Sequence, residues 1–213
     1  MAKKQVYLKA QNAWWLGLFV TVNVAAYASV AVARELTGAS VENFWHRFSL
    51  ERGLFAVSFA LATVILNGFL GDLGKARVVF WRWSNPLPGS RAFSVVVPTD
   101  PRIDAARLRS RVGPFPRRPN DQNAAWYRLY RAHADKVTVL EAHRAYLLTR
   151  DMTGLAALFA IGFSVGAFVA VSGWRLPTVY SAALAAQYLI VATSARNYGN
   201  RFVANVLVEE SQA

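Results

Sequence analysis

Apolar residues in this chain fall into four blocks, at 13–33, 53–71, 152–171 and 178–195, and no block contains a charged side chain. Each block has about the number of residues that crosses a hydrocarbon core of roughly 30 Å at about 1.5 Å per residue. The last two are separated only by Ser172-Gly-Trp-Arg-Leu-Pro177. That break is too short for a domain and long enough to turn the chain outside a membrane. The pattern is neither the alternation of a strand nor the 3.6-residue period of a surface helix, so the solvent for much of the chain is lipid. The expected fold is all-α. It is an integral membrane protein with four transmembrane helices and a small, mainly helical cytoplasmic domain between helices 2 and 3. The expected divisions are an N-terminal transmembrane hairpin (1–72), a basic domain (73–150), and a C-terminal hairpin with its tail (151–213).

Within 73–150 the punctuation predicts smaller elements. Residues 75–83 continue the second span, and Ser84-Asn-Pro-Leu-Pro-Gly-Ser90 forms a rigid turn. Residues 92–97 read as a short extended piece. Asp100-Pro101 starts a helix that Gly113 stops, and Asn120 or Asp121 caps a longer one that continues through Tyr146.

Composition changes the picture through charge. The chain is 54% hydrophobic and 13% aromatic, with a net charge of +12 and a pI near 10.6. In a soluble protein such a charge points to nucleic acid. In a membrane protein the first explanation is the excess of Lys and Arg on cytoplasmic loops. Residues 73–150 carry fifteen Lys and Arg against five Asp and Glu, whereas the loop 34–52 is balanced. Lys75, Arg77, Arg82, Arg144 and Arg150 lie close to span ends, and Lys3, Lys4 and Lys9 precede the first span. Both termini and 73–150 are therefore expected in the cytoplasm, with the chain multi-pass in the inner (plasma) membrane. The first block is about twice the length of a signal-peptide core and lacks a small-residue cleavage site, so it is read as a retained span.

Trp14, Trp15, Phe80, Trp81, Trp83 and Trp174 flank the spans, where amphipathic rings favour the membrane interface. Lipid gives helices no hydrophobic reason to associate, so small residues must let backbones approach. Gly162 and Gly166 form a GxxxG pair in the third span. They fit an intramolecular hairpin or an interface between copies. Asn23, Asn67, Gln187 and Thr193 are polar groups that fit either helix-to-helix hydrogen bonds or a polar path lined by several assembled copies. No span carries an ionisable residue, which argues against an ion-coupled transporter.

Cysteine is absent, so disulfides and thiolate metal sites are excluded. His133 and His143 lie ten residues apart with no carboxylate cluster, so no metal is expected, nor any cofactor. No phosphate-binding loop occurs. Arg128-Leu-Tyr-Arg-Ala-His133 is similar to the Arg-x4-His spacing of HEPN ribonucleases, which makes Arg128 and His133 the weak catalytic candidates. The stronger signal is arginine density. Arg102, Arg107, Arg109, Arg111, Arg117 and Arg118 crowd a short stretch away from the spans, and arginine's planar fork suits phosphate. An anion site for a nucleotide, nucleic acid, lipid headgroup or acidic protein partner and a plainly solvated basic surface both account for them.

The phrases Ser84-Asn-Pro-Leu-Pro-Gly-Ser-Arg-Ala-Phe93 and Asn123-Ala-Ala-Trp-Tyr-Arg128 look like a family signature. In layout, over the whole chain, the protein resembles the small four-helix membrane effectors and accessory proteins of bacterial anti-phage systems. The resemblance implies a homo-oligomer that disturbs the inner membrane when a cytoplasmic signal arrives, and it carries no functional residue. Three readings follow: an anion-controlled pore-forming effector, a non-conducting accessory subunit that recruits a soluble partner, and a membrane-tethered ribonuclease-like or lipid-acting enzyme.

Overall fold

The computed structural model describes residues 2–32, 57–58, 61–62, 64–65 and 67–213. The loop 34–52 and much of the expected second span lie outside the described residues. The fold is all-helical, with no strand among the described residues. We label the longer helices α1 (Ala2–Val32), α2 (Asp72–Phe80), α3 (Ala105–Val112), α4 (Pro119–His133), α5 (Val137–Ala170) and α6 (Arg175–Gln212). Three stretches are long and apolar enough to cross a membrane: Ala10–Ala31, Val137–Ala170 and Arg175–Gln212. At about 1.5 Å per residue, the 38 residues of α6 extend for roughly 57 Å, well beyond a hydrocarbon core of roughly 30 Å. The fourth apolar block therefore ends at 195 as composition but not as a helix. No breaker follows it, and the helix runs on to Gln212.

The chain divides into two compact units, and α5 and α6 contribute residues to both. One unit comprises residues 10–71 and 151–191. Its buried centre is Tyr27, Ala31, Leu155, Phe159, Phe163, Ala167, Tyr180 and Leu184. Phe159 and Phe163 stack with centroids 4.8 Å apart, and Tyr27 stacks on Phe163 at 4.7 Å. A Cβ on Gly166 would meet the Tyr27 hydroxyl at 2.7 Å. The small residue thus serves packing between α1 and α5 within one chain, as lipid-embedded helices require. Gly162 is half-buried. Asn23 turns its amide to its own helix, donating to Phe19 O at 2.9 Å. Outward-facing positions are apolar: Trp14, Leu18, Val22, Ile161, Val165, Val169 and Ile190 are exposed, an arrangement suited to lipid rather than water.

The second unit comprises residues 1–9, 72–150 and 192–213. The middle region does not close on itself. Its core takes Phe202, Val203, Val206 and Leu207 from α6 alongside Val79, Phe93, Leu108, Trp126, Tyr130 and Tyr146. Each large side chain of this kind contributes about 1.5–3 kcal/mol when fully buried. The two signature-like phrases meet here. Gly89 sits against α4 so closely that a Cβ would fall 2.5 Å from Trp126 and 2.6 Å from Asn123.

Local elements differ from expectation where a distant partner intervenes. Residues Ala92–Val96 form a π-helical turn instead of an extended piece. The cause is Gln122, which is 1% exposed. Its Oε1 accepts from Phe93 N, Ser94 N and Ser94 Oγ, each at 3.1 Å, and its Nε2 donates to Arg117 O. Asp104, not Asp100, caps α3, accepting from Arg107 N at 2.9 Å, and Gly113 closes that helix with φ 79°. Asp100 is occupied by Arg102, on both its backbone and its side chain. Neither Asn120 nor Asp121 caps α4. Pro119 is at its first position, Arg118 stands at the N-cap without a side-chain bond, and the acid lies in the first turn. The helix does not continue to Tyr146, because the chain turns at 134–136, with Lys136 N donating to His133 O.

Replacing Gln122 by Ala strands the buried Phe93 N–H, worth about 1–3 kcal/mol when unsatisfied, and removes the partner of the partly buried Ser94 N–H. Gln122→Ala is expected to lower the apparent thermal midpoint in mild detergent by several degrees, while exposed Asp121→Ala leaves it nearly unchanged. Equal midpoints for wild type and Gln122→Ala would show that the clamp does not hold the turn.

Candidate anion-binding site

The six arginines singled out by density do not form one cluster. Arg102 pairs with Asp100 through two contacts, 3.0 and 2.7 Å, and donates to Asn205 Oδ1 at 3.2 Å. Arg111 reaches Glu210 Oε1 at 2.8 Å. Arg109 lies over the Phe115 ring at 4.9 Å. With Arg117, it borders a cavity of about 500 Å³ whose walls include Phe93, Pro114 and Pro116. Arg107, Arg117 and Arg118 are exposed. Opposite charges and ring faces thus disperse what the sequence concentrates.

A second basic site assembles from residues far apart in the chain. Arg91, Arg102 and Arg201 line a cavity of about 710 Å³, together with Thr99, Asp100, Ser194, Asn197, Tyr198 and Asn200, over apolar walls from Val95, Val96, Pro101 and Ala204. The α6 positions recur at intervals of three and four and so share one helix face. Three guanidiniums stand here against one carboxylate. Arg102 holds Asp100 below the usual carboxylate range through its side-chain bond, and the reciprocal bond raises Arg102. Arg91 differs from the others in two respects. It is half-buried beside Phe80, and its Nη1 lies out of solvent with no hydrogen-bond partner among the described residues. Such a charged donor left unpaired costs upwards of about 1–3 kcal/mol. Nothing in the local sequence marks Arg91 or Arg201. The first sits in a Pro-Gly turn and the second in what reads as a tail.

The C-terminal end of α6 also carries a charged node. Glu210 accepts from Arg111 and lies 2.7 Å from His133 Nε2, while Glu209 accepts from Thr138 at 2.6 Å. Burial alone pushes the Glu210 carboxyl up. The bonds from Arg111 and His133 more than offset this and hold it below the usual carboxylate range. Arg196 donates to Val79 O and lies 3.7 Å from the Trp81 ring, pinning a tryptophan whose φ is 53°.

His133 is therefore buried on Glu210, whereas Arg128 is exposed on the same helix. Five residues apart on a helix is about 140° of rotation, so the two do not share a face. No group of three or more His, Asp or Glu is placed to hold a metal among the described residues. Of the expected interface residues, Trp14, Trp15, Trp81, Trp83 and Trp174 are exposed, Trp83 by 85%. Phe80 is buried in the core instead, because α2 turns it towards Tyr146. No known protein family, curated protein or solved structure matches the chain. What the site can do is read from its own chemistry.

Because the folded carboxyl of Glu210 is depressed, its stabilisation is fully present above the unfolded value, near pH 4.3, and is lost as the pH falls through the folded one. The apparent melting midpoint should fall with acidification below about pH 4 and do so less steeply in Glu210→Gln, which is also less stable at neutral pH. Parallel profiles would remove Glu210 from the acid response.

Proposed function

We propose that the chain is an oligomeric, four-span inner-membrane protein whose basic helical unit lies in the cytoplasm, binds an anion there and controls ion passage through the spans. The observation that supports this reading best is the combination, in one chain, of membrane-length apolar helices with a cavity holding three arginines and one carboxylate. Because α5 and α6 each contribute to both units, occupancy of a site on α6 acts on a helix that also supplies a span. An effector role of the kind suggested by layout belongs to the same proposal.

The described spans of a single copy are filled between α1 and α5 by Phe159, Phe163 and Tyr27, which leaves no polar path there. Conduction therefore requires several copies around an axis. The same rings favour a second reading for a monomer: a non-conducting accessory subunit that holds a soluble partner at the membrane.

Three measurements separate these outcomes. The chain lacks cysteine, so single introduced thiols report sidedness cleanly. In intact cells an impermeant maleimide is expected to label Ser172→Cys and to spare Ser110→Cys and Lys3→Cys. Labelling of Lys3→Cys would place the N-terminus outside and overturn the four-span layout. Light scattering in mild detergent is expected to give a multiple of 23.5 kDa protein mass, and liposomes containing the protein are expected to release trapped potassium. A monomer that releases none would replace the pore by the accessory subunit.

A further inference from the structure

In the basic unit Arg111 and Arg150 are answered by carboxylates, and Arg77, Arg109 and Arg196 lie over aromatic rings. These are structural cations whose charge the fold already uses. Arg91 also lies over a ring, Phe80 at 5.7 Å, and like Arg196 it has a buried guanidinium nitrogen without a hydrogen bond among the described residues, but Arg91 and Arg201 face one cavity. Exposed Arg201 has no hydrogen bond among the described residues.

That cavity has the attributes of a ligand site and not of a solvated face. Its volume, about 710 Å³, falls in the range of about 300–1,000 Å³ typical of small-molecule pockets. Arg102 is held in place on one side by Asp100 and on the other by Asn205, so it supplies a fixed field. Arg91 and Arg201 retain free donors, and the Asn197 and Asn200 amides stand beside them on α6. Three guanidiniums and one carboxylate leave a local charge of about two, which matches the −1.5 to −2 of a phosphate monoester near neutral pH. Apolar side chains of Val95, Val96 and Ala204 border the polar groups and lower the local polarity beside them, which favours charge-assisted bonds.

We propose that the cavity bounded by Arg91, Arg102 and Arg201 binds a phosphate-bearing anion, with Arg91 and Arg201 as the direct partners of its oxygens and Asp100 fixing Arg102 behind them. The inference rests on the anion-binding reading of the basic unit and gives that reading a site. Two sources share this chemistry, a soluble phosphoester and the headgroup of an anionic phospholipid.

Inorganic pyrophosphate is the probe, titrated calorimetrically into the full chain in neutral detergent and in phosphatidylcholine nanodiscs. Binding is expected in both. Arg201→Gln, at an exposed position, should weaken it tenfold or more without moving the apparent melting midpoint. Arg91→Gln should do likewise, and Arg118→Gln should change it less than twofold. Phosphatidylglycerol nanodiscs separate the sources. Unchanged pyrophosphate affinity there assigns a soluble phosphoester, and its loss there assigns the headgroup. Either result supports the site. Absence of binding in both detergent and phosphatidylcholine overturns it, as does wild-type affinity in both Arg201→Gln and Arg91→Gln. The functional reading fails separately. Binding that depends on Arg201, in a protein that releases no potassium from liposomes, leaves the site standing and removes the pore.

Discussion

Phe202 lies flat on the His143 imidazole at 4.5 Å and edge-on to Trp126 and Tyr130 at 5.1 and 5.2 Å, so rings from three helices share one apolar volume. Trp126 Nε1 reaches Val203 O, and the Tyr130 hydroxyl reaches His143 Nδ1. The polar tips of the cluster are therefore answered inside it, as buried amphipathic rings require. The attachment of α6 to the basic unit depends on this arrangement. It brings α6 against α4 and α5, places Arg201 and Asn200 on one side of that contact, and carries Glu210 to Arg111 and His133. A middle region of 78 residues with so many charges has too little apolar surface to bury alone. The last turns of α6 supply what it lacks.

Electrostatics in this unit is mostly a matter of disposal. A net charge of +12 opposes compaction, and the fold answers it with a few buried or half-buried acids and with ring faces. Arg150 is almost wholly buried and is met by an exposed Asp72 at 2.9 Å. Arg196 lies against Trp81. Cations disposed of in this way keep their charge but offer few donors to a ligand. That contrast makes the less satisfied pair, Arg91 and Arg201, informative.

The first, third and fourth apolar blocks were legible as membrane-length helices because lipid imposes length and the absence of charge, both readable from composition alone. Helical class followed from the same constraint. Less was legible between the spans. Val95, Val96 and Val97 have β-branched side chains that favour extended backbone, but Gln122, 29 and 28 positions along from Phe93 and Ser94, accepts the N–H groups of those two residues in a helical turn. Asp100 and Asp104 are equally good caps by residue type, and only the Arg102 bond decides between them. The arginine-lined cavity was half legible. Density pointed to Arg102 among the residues that line it, but Arg91 and Arg201 are separated by 110 positions and meet only through tertiary packing. Charge run and charge site are different things here, since the run between 107 and 118 is split among Glu210, Phe115 and solvent.

The dependence of the basic unit on α6 also fixes when it can form. Residues 72–150 leave the ribosome first, with Trp126 and Tyr130 already made but without the Phe202 ring that packs on both. Phe202 follows about fifty residues later, a delay of roughly 3–10 s at typical synthesis rates of about 5–20 residues per second. During that interval a cationic, aromatic-rich segment waits for the α6 side chains that complete its core. Closure of the unit is thus among the last events of biosynthesis. A ribosome stalled in α6 before Phe202 leaves a chain whose basic region lacks the α6 part of its core.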